Sequence, residues 1–93
     1  MSASKMKTEF DRIQWMRKVV AVVRSFKSGI QFTSDEVRHE ALKRGIGVPP
    51  NPNNWGRAVQ SAKTFMLAWP TGVYRPTSRA AGHRRAIAVW KRL

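Results

Sequence analysis

Residues 51–66 read NPNNWGRAVQSAKTFM, and this stretch decides the fold of the chain. Asn51 can cap a helix with its side-chain oxygen, and Pro52 suits the first helical turn because its missing N–H needs no partner there. Six apolar residues then recur at the three-and-four spacing of a buried helical stripe. They are Trp55, Ala58, Val59, Ala62, Phe65 and Met66. The stretch therefore predicts an amphipathic helix over residues 51–66, with Trp55 in the core.

A polar stripe follows the same spacing on another side of this helix. It consists of Asn53, Arg57, Gln60 and Thr64, and it contains no carboxylate. Arginine can read guanine, and asparagine or glutamine can read adenine, in the major groove of DNA, and the same side chains also bind phosphates. An ordinary solvated helix face has this pattern too. The stripe alone therefore does not indicate DNA binding, and the rest of the chain has to be considered with it.

Positive charge dominates the composition of these 93 residues, which carry a formal net charge of +13. All five acids lie in the first forty residues, and ten lysines and arginines follow Glu40 with no acid among them. Such a surface attracts a polyanion. Nucleic acid is the commonest partner of this kind, and anionic lipid and acidic proteins are rarer ones.

Several classes of protein are excluded or disfavoured by composition. The absence of cysteine excludes disulfides and thiolate metal sites. The longest apolar run, residues 19–23, is far too short to span a bilayer, so we expect a cytoplasmic protein without a membrane partner. The pair His39-Glu40 resembles the start of the zinc motif H-E-x-x-H, but Lys43 stands where the second histidine is needed. We therefore expect no enzyme activity, cofactor, metal or small-molecule substrate.

The first forty-five residues predict a basic tail and two helices. Residues 1–7 have the character of a disordered tail, and Thr8 can cap a helix over residues 8–28. Two apolar lines run along that helix, which indicates two neighbours in the fold, or one neighbour and a homodimer partner. The lines are Phe10, Ile13, Met16, Val20 and Val23, and Trp15, Val19, Val22 and Phe26. A short strand is expected at residues 31–33.

The second helix, over residues 34–44, has clear start and stop signals. Thr33 and Glu36 match a capping box, and Phe32 and Val37 match a hydrophobic staple. Gly45 supplies a left-handed stop. The order of helix, connection and helix is that of a helix-turn-helix.

The C-terminal third predicts a hairpin. Residues 69–72 read as a turn, and residues 73–75 and 87–90 read as strands. The polar, cationic connection over residues 76–85 would form a wing. The chain is thus expected to be α+β and mainly helical, with three helices and a C-terminal β-hairpin.

Five segments in this order resemble a group of small winged-helix proteins that phages and prophages encode, often near replication or regulatory genes. The segments are FTSD at 32–35, PPNPNNWG at 49–56, GVYRPTSR at 72–79, HRR at 83–85 and VW at 89–90. The resemblance covers about residues 31–91. It implies a winged helix-turn-helix fold and binding of double-stranded DNA, while residues 1–30 lie outside the match. The length of the chain, 93 residues, separately predicts a single domain, which we place over residues 8–93. The stretch Ala80-Ala81-Gly82 departs from the family, in which more proline and acid are expected.

The resemblance makes helix 51–66 the recognition helix, whose first half does most of the base reading in winged-helix proteins. Its candidate DNA contacts are Asn53, Asn54, Arg57, Gln60, Ser61, Lys63 and Thr64. The first three are candidates for base edges and Lys63 for phosphate, although Asn53 and Asn54 can equally be capping groups. The candidate wing contacts, suited to phosphates or a minor groove, are Arg75, Arg79, His83, Arg84 and Arg85.

Three alternatives stay open at this point. The wing can be a solvated basic loop that aids solubility. The basic surface can bind structured RNA. The broad apolar face of residues 10–26 can instead dock on another protein, as in a phage-encoded inhibitor or adaptor of a host protein.

Overall fold

Three helices and a three-stranded antiparallel sheet make up the described part of the chain, which in this computed structural model comprises residues 9–49, 51, 53–77 and 85–93. The elements are α1 (Glu9–Ser25), β1 (Gln31–Phe32), α2 (Ser34–Lys43), α3 (Asn54–Thr64), β2 (Ala68–Pro76) and β3 (Ala86–Arg92). The predicted α+β class is confirmed. The predicted tail over residues 1–7 and the Thr8 cap lie outside the described residues.

Helix α1 is shorter than predicted, since it ends at Ser25 rather than Ser28. The Ser25 hydroxyl donates to the Val22 carbonyl (2.6 Å), and the Phe26 N–H donates to Val23 (3.0 Å), so the last carbonyls have local partners. Val20 and Val23 of the first line are buried, while Ile13 of that line is exposed. Trp15, Val19 and Val22 of the second line are buried as well, and α1 packs against both α2 and α3. The expectation of two neighbours in the fold is therefore confirmed. No helix among the described residues is long and apolar enough to cross a membrane.

Helix α2 begins and ends close to the predicted residues. The Thr33 Oγ1 atom accepts a hydrogen bond from the Asp35 N–H (3.2 Å), and its hydroxyl also bonds to the Glu36 carboxylate. At the other end Gly45 has a φ of 81°, and its N–H donates to Leu42 (3.0 Å). A left-handed residue after the last turn is the usual way to end a helix, and glycine adopts it without steric cost.

Helix α3 begins three residues later than predicted. The Asn51 side chain accepts from the Asn53 N–H (2.9 Å), and the Asn51 carbonyl accepts from the Asn54 N–H (2.9 Å), so Asn51 forms a turn before the helix. The side chain of Asn53, the N-cap residue, makes no capping hydrogen bond. The short side chain of an asparagine can accept a hydrogen bond from a nearby N–H either as a helix N-cap or within a turn. The sequence pattern does not distinguish the cap from the turn.

The end of α3 corrects a second prediction. Phe65 and Met66 do not continue the buried stripe: both are exposed, and Met66 has a φ of 58°. The Leu67 N–H donates to the Ala62 carbonyl (2.9 Å), which closes the helix and turns the chain toward β2. The left-handed turn at Met66 therefore directs Phe65 and Met66 to solvent.

The sheet has the strand order β1-β3-β2, so β3 lies in the centre and β2 forms an edge. The turn predicted at residues 69–72 is wrong: Trp69 and Pro70 already pair with Lys91 and Trp90 of β3. Pairing is irregular between Pro70 and Tyr74, where the extra residues form a bulge. Hairpin strands β2 and β3 are consequently longer than expected.

Two tryptophans join α1, α3 and the interhelical linker in the core. The rings of Trp15 and Trp55 meet edge to face with 4.9 Å between centroids. The Trp15 Nε1–H donates to the Gly47 carbonyl (2.6 Å), which satisfies its one polar atom. The prediction that both side chains are core residues is confirmed.

Candidate nucleic-acid interface

An open groove of about 580 Å³ separates the polar side of α3 from the β2–β3 hairpin. We call it the α3–hairpin groove; it is lined by Arg57, Gln60, Ser61, Lys63, Thr64, Pro70, Tyr74, Ala88 and Trp90. Five of the seven residues predicted on the recognition helix therefore lie together. Because they belong to one rigid helix, their relative positions are fixed before any ligand arrives.

The side chains of α3 in this groove differ in their availability. Arg57, Gln60, Lys63 and Thr64 are exposed. Ser61 is half-buried, and its hydroxyl donates to the Arg57 carbonyl one turn earlier (3.2 Å). The Ser61 proton is thus engaged within the helix, and the other four side chains are the stronger candidates for ligand contacts.

The groove is cationic. Arg57 and Lys63 supply two positive charges, and no carboxylate occurs among the residues that line it. The Lys63 ammonium lies 4.9 Å from the centroid of the Trp69 ring, a cation–π contact that holds the lysine beside the groove. Positive charge without a neighbouring acid is therefore available to an anionic ligand.

Asn53 and Asn54 lie apart from the α3–hairpin groove, at the start of α3. Asn54 is half-buried. The Asn53 side-chain oxygen lies 3.5 Å from Nη2 of Arg85, the residue immediately before β3. This contact, outside the α3–hairpin groove, places the predicted wing residue Arg85 beside the first turn of the predicted recognition helix.

Arg75 occupies a different position from the one expected for a wing contact. Its guanidinium lies 3.8 Å from the Glu36 carboxylate of α2, and it lines a groove on that side of the hairpin. Arg75 is thus not brought together with the polar residues of α3. The predicted contacts Arg79, His83 and Arg84 lie outside the described residues.

The base of the wing is fastened to the start of α2. The buried Thr77 hydroxyl lies 3.0 and 2.9 Å from the two oxygens of the Asp35 carboxylate. Across the base, the Thr77 N–H donates to the Arg85 carbonyl (2.8 Å). Because a hydrogen bond to a charged acceptor is stronger than a neutral one, this contact fixes where the hairpin leaves the helical part of the fold.

The acids of α2 are engaged with nearby partners. Glu40 accepts a hydrogen bond from Nε of Arg44 (2.9 Å), and this bond lowers the pKa of the Glu40 carboxyl from its ordinary value. The positive charges of Arg44, Lys43 and His39 act in the same direction, against partial desolvation. Among the described residues no group of histidines and acids is arranged to hold a metal ion.

Sequence patterns did not identify the hairpin residues of the groove, above all Tyr74. The strand containing Tyr74 was predicted, and alternation along a strand places Tyr74 and Arg75 on opposite faces. Which of them meets α3 depends on the bulge between Pro70 and Tyr74. A bulge of this kind resembles a turn in sequence, so the pattern alone does not indicate which face Tyr74 occupies.

No family model, no curated protein and no solved structure matches the chain. The proposed function therefore depends on the geometry and charge of the residues described above.

Proposed function

We propose that the protein binds double-stranded DNA through the α3–hairpin groove. The observation that carries the proposal is the exposure of Arg57, Gln60, Lys63 and Thr64 along one helix, beside a hairpin and without a carboxylate in the groove. An α-helix fits the major groove, and these side chains are suited to base edges and phosphates.

The architecture supports a winged helix-turn-helix as the finer description of the fold. Helices α2 and α3 follow one another and are succeeded by an antiparallel hairpin, which is the order of elements in that fold. In this proposal α3 is the recognition helix and the β2–β3 connection is the wing. The sequence resemblance adds a role as a phage regulatory or replication accessory factor.

Individual residues receive distinct roles. Arg57 and Gln60 read base edges, and Lys63 and Thr64 contact phosphates. Arg85, together with Asn53, contacts the backbone where the wing leaves the sheet. Arg79, His83 and Arg84 belong to the proposal only through the sequence pattern of the wing.

The alternative of a protein-interaction module on the same fold has less support than DNA binding. It depended, as did a homodimer through residues 8–28, on an apolar face of α1 broader than one core needs. Trp15, Val19, Val22 and Val23 of that face are buried in the chain's own core cluster, whereas Ile13 is exposed. DNA binding needs no apolar surface for a partner protein, so we propose that a single chain is the binding unit.

A titration of a fluorescent random-sequence duplex, followed by anisotropy, tests the proposal. The variant Arg57→Gln/Lys63→Gln is compared with Arg17→Gln/Lys18→Gln, which removes the same charge from exposed positions on α1. We expect the logarithm of the observed association constant to fall steeply with the logarithm of the salt concentration between about 50 and 200 mM. In the α3 variant this dependence should be shallower, by about 0.9 in slope for each lost phosphate contact.

The α1 variant should keep the slope of the wild type, because its charges lie outside the groove. Equal effects of the two variants would show that only net charge matters and would contradict the assignment to α3. Absence of duplex binding at low salt would overturn the proposed function altogether.

A further inference from the structure

Two arginines from different elements line one small cavity between α2, the start of α3 and the start of β3. The cavity has a volume of about 100 Å³. Arg38 of α2 and Arg85, immediately before β3, line it together with Ser34, Asp35, Asn53 and Gly56. We call it the two-arginine pocket. Because like charges repel, an anion between the two guanidinium groups would stabilise this arrangement.

Arg38 has a polar atom that the fold does not satisfy. Its Nε atom is buried and has no hydrogen-bond partner among the described residues. A buried donor without an acceptor is unfavourable, and an oxygen atom of a ligand can act as that acceptor.

Arg92 also has an unpaired Nε atom, but its side chain has a structural role. Its Nη1 atom donates to the carbonyls of Leu67 (3.3 Å) and Leu93 (2.7 Å), and its Nη2 atom donates to that of Arg24 (3.1 Å). These bonds join the end of the sheet to α1. Arg38, which faces a cavity instead, is the better candidate for a ligand contact.

The opposite side of the pocket is held by the base of the hairpin. The Arg85 carbonyl accepts from the Thr77 N–H (2.8 Å), and Nη2 of Arg85 lies 3.5 Å from the Asn53 side-chain oxygen. Gly56 adds no side chain: beyond its chain neighbours and the backbone of α3, no described atom lies within 4 Å of the place of a Cβ atom. A ligand can therefore approach the first turn of α3 closely.

The charge and size of the pocket favour a small anion. Asp35 also lines it, but the Asp35 carboxylate is bonded to the Thr77 hydroxyl (3.0 and 2.9 Å), and two arginines outnumber it. Pockets that enclose a whole small molecule measure roughly 300–1,000 Å³, well above the volume found here. A phosphate group is small and anionic, and its oxygens match the planar fork of a guanidinium.

We infer that the two-arginine pocket binds one phosphate group of the DNA backbone beside the first turn of α3. A helix about 10–12 Å across fills a major groove about 12 Å wide, so backbone phosphates lie along both of its sides. Gly56 lines the pocket, and Arg57, the next residue, lines the α3–hairpin groove. The backbone as the source of the phosphate rests on the proposed duplex function; a terminal phosphate has the same chemistry.

Inorganic phosphate tests the pocket without DNA. The melting temperature is measured in sodium phosphate and in sodium chloride of equal ionic strength. A ligand of the folded state stabilises it, so phosphate should raise the melting temperature of the wild type by roughly a few degrees more than that of Arg38→Gln. General stabilisation by phosphate as a salt affects every variant alike.

Lys43→Gln is the matched control for the loss of charge. Lys43 is exposed on the same helix and does not line the pocket, so this variant should respond to phosphate like the wild type. Arg38→Lys keeps the charge but loses the fork, and its response should be intermediate. If Arg38→Gln does not fold, Arg38→Lys provides the same comparison with a smaller loss.

A duplex titration identifies the source of the phosphate. Arg38→Gln should weaken binding of a random-sequence duplex with 5′-hydroxyl ends by roughly tenfold, because it removes a hydrogen bond to a charged group. Lys43→Gln should weaken it much less. The same duplex with 5′-phosphates should bind with equal affinity; tighter binding that disappears in Arg38→Gln would overturn the backbone as the source and assign the pocket to DNA ends.

The outcomes separate the pocket from the proposed function. Stabilisation by phosphate and duplex affinity that both fall in Arg38→Gln but not in Lys43→Gln support the inference. Equal behaviour of these two variants overturns it and leaves duplex binding by the wild type intact. Stabilisation that depends on Arg38, without any binding of a duplex, would overturn the proposed function and support a phosphate pocket. The same stabilisation with an unchanged duplex affinity would overturn the DNA backbone as its ligand.

Discussion

Met66 adopts a backbone conformation that its side chain disfavours. Its φ of 58° lies in the left-handed region, and the side chain is 71% exposed, so packing offers little compensation. A residue with a Cβ atom in this region costs about 1 kcal/mol relative to glycine. We expect Met66→Gly to raise the free energy of unfolding by about that amount, measured by urea denaturation.

Met66→Ala separates backbone strain from side-chain exposure. Alanine removes the exposed thioether but keeps the Cβ atom, so its stability should stay near that of the wild type. A gain in Met66→Ala equal to that of the glycine variant would show that the exposed side chain, and not the backbone, is the source of the effect.

The residues at element ends show how much local chemistry can predict. Thr33 and Gly45 begin and end α2 as expected, because capping depends on atoms within a few residues of each other. Asn51 and Met66 were misread for a related reason. An asparagine can cap a helix or form a turn, and a non-glycine residue carries no signal that the fold will force it into a left-handed conformation.

At the level of elements, the contact between α2 and the hairpin base orients the proposed wing. Thr77→Val keeps the shape of the side chain but removes the hydroxyl that donates to Asp35. Loss of this partly buried bond to a charged group should lower the free energy of unfolding by about 1–3 kcal/mol. The measurement is chemical denaturation, with the hairpin followed by amide hydrogen exchange.

Thr77→Ser is the control for this contact, because serine retains the hydroxyl and loses only the methyl group. It should remain closer in stability to the wild type than Thr77→Val does. If the valine variant is as stable as the serine variant, the hydroxyl contributes nothing and the hairpin is positioned by the sheet alone.

Which elements meet could be predicted only in part. The helix that the structure has over Asn54–Thr64 and its polar stripe follow from spacing, which is why Arg57, Gln60 and Thr64 could be predicted on one side of it. The partners of the hairpin could not be found in this way, since the Arg75–Glu36 and Thr77–Asp35 contacts join residues far apart in the chain. Tyr74 was missed because a bulge changes the strand register, and bulges resemble turns in sequence.

For the whole molecule, the charge of +13 opposes folding by self-repulsion. Salt screens this repulsion, so moderate sodium chloride should raise the melting temperature by a few degrees. Arg17→Gln/Lys18→Gln lowers the net charge by two and should reduce the salt dependence. Differential scanning calorimetry of both proteins tests this, and a melting temperature that falls with salt would show that ion pairs such as Glu40–Arg44 outweigh the repulsion.

The bulged edge strand β2 has a consequence for solubility at high concentration. An open sheet edge is a template on which identical chains can polymerise. Pro70 and Pro76 lack an N–H, and the irregular segment between Pro70 and Tyr74 interrupts the flat ladder that a second strand would need. These interruptions make fibre growth from an edge-to-edge encounter between copies of the chain unfavourable.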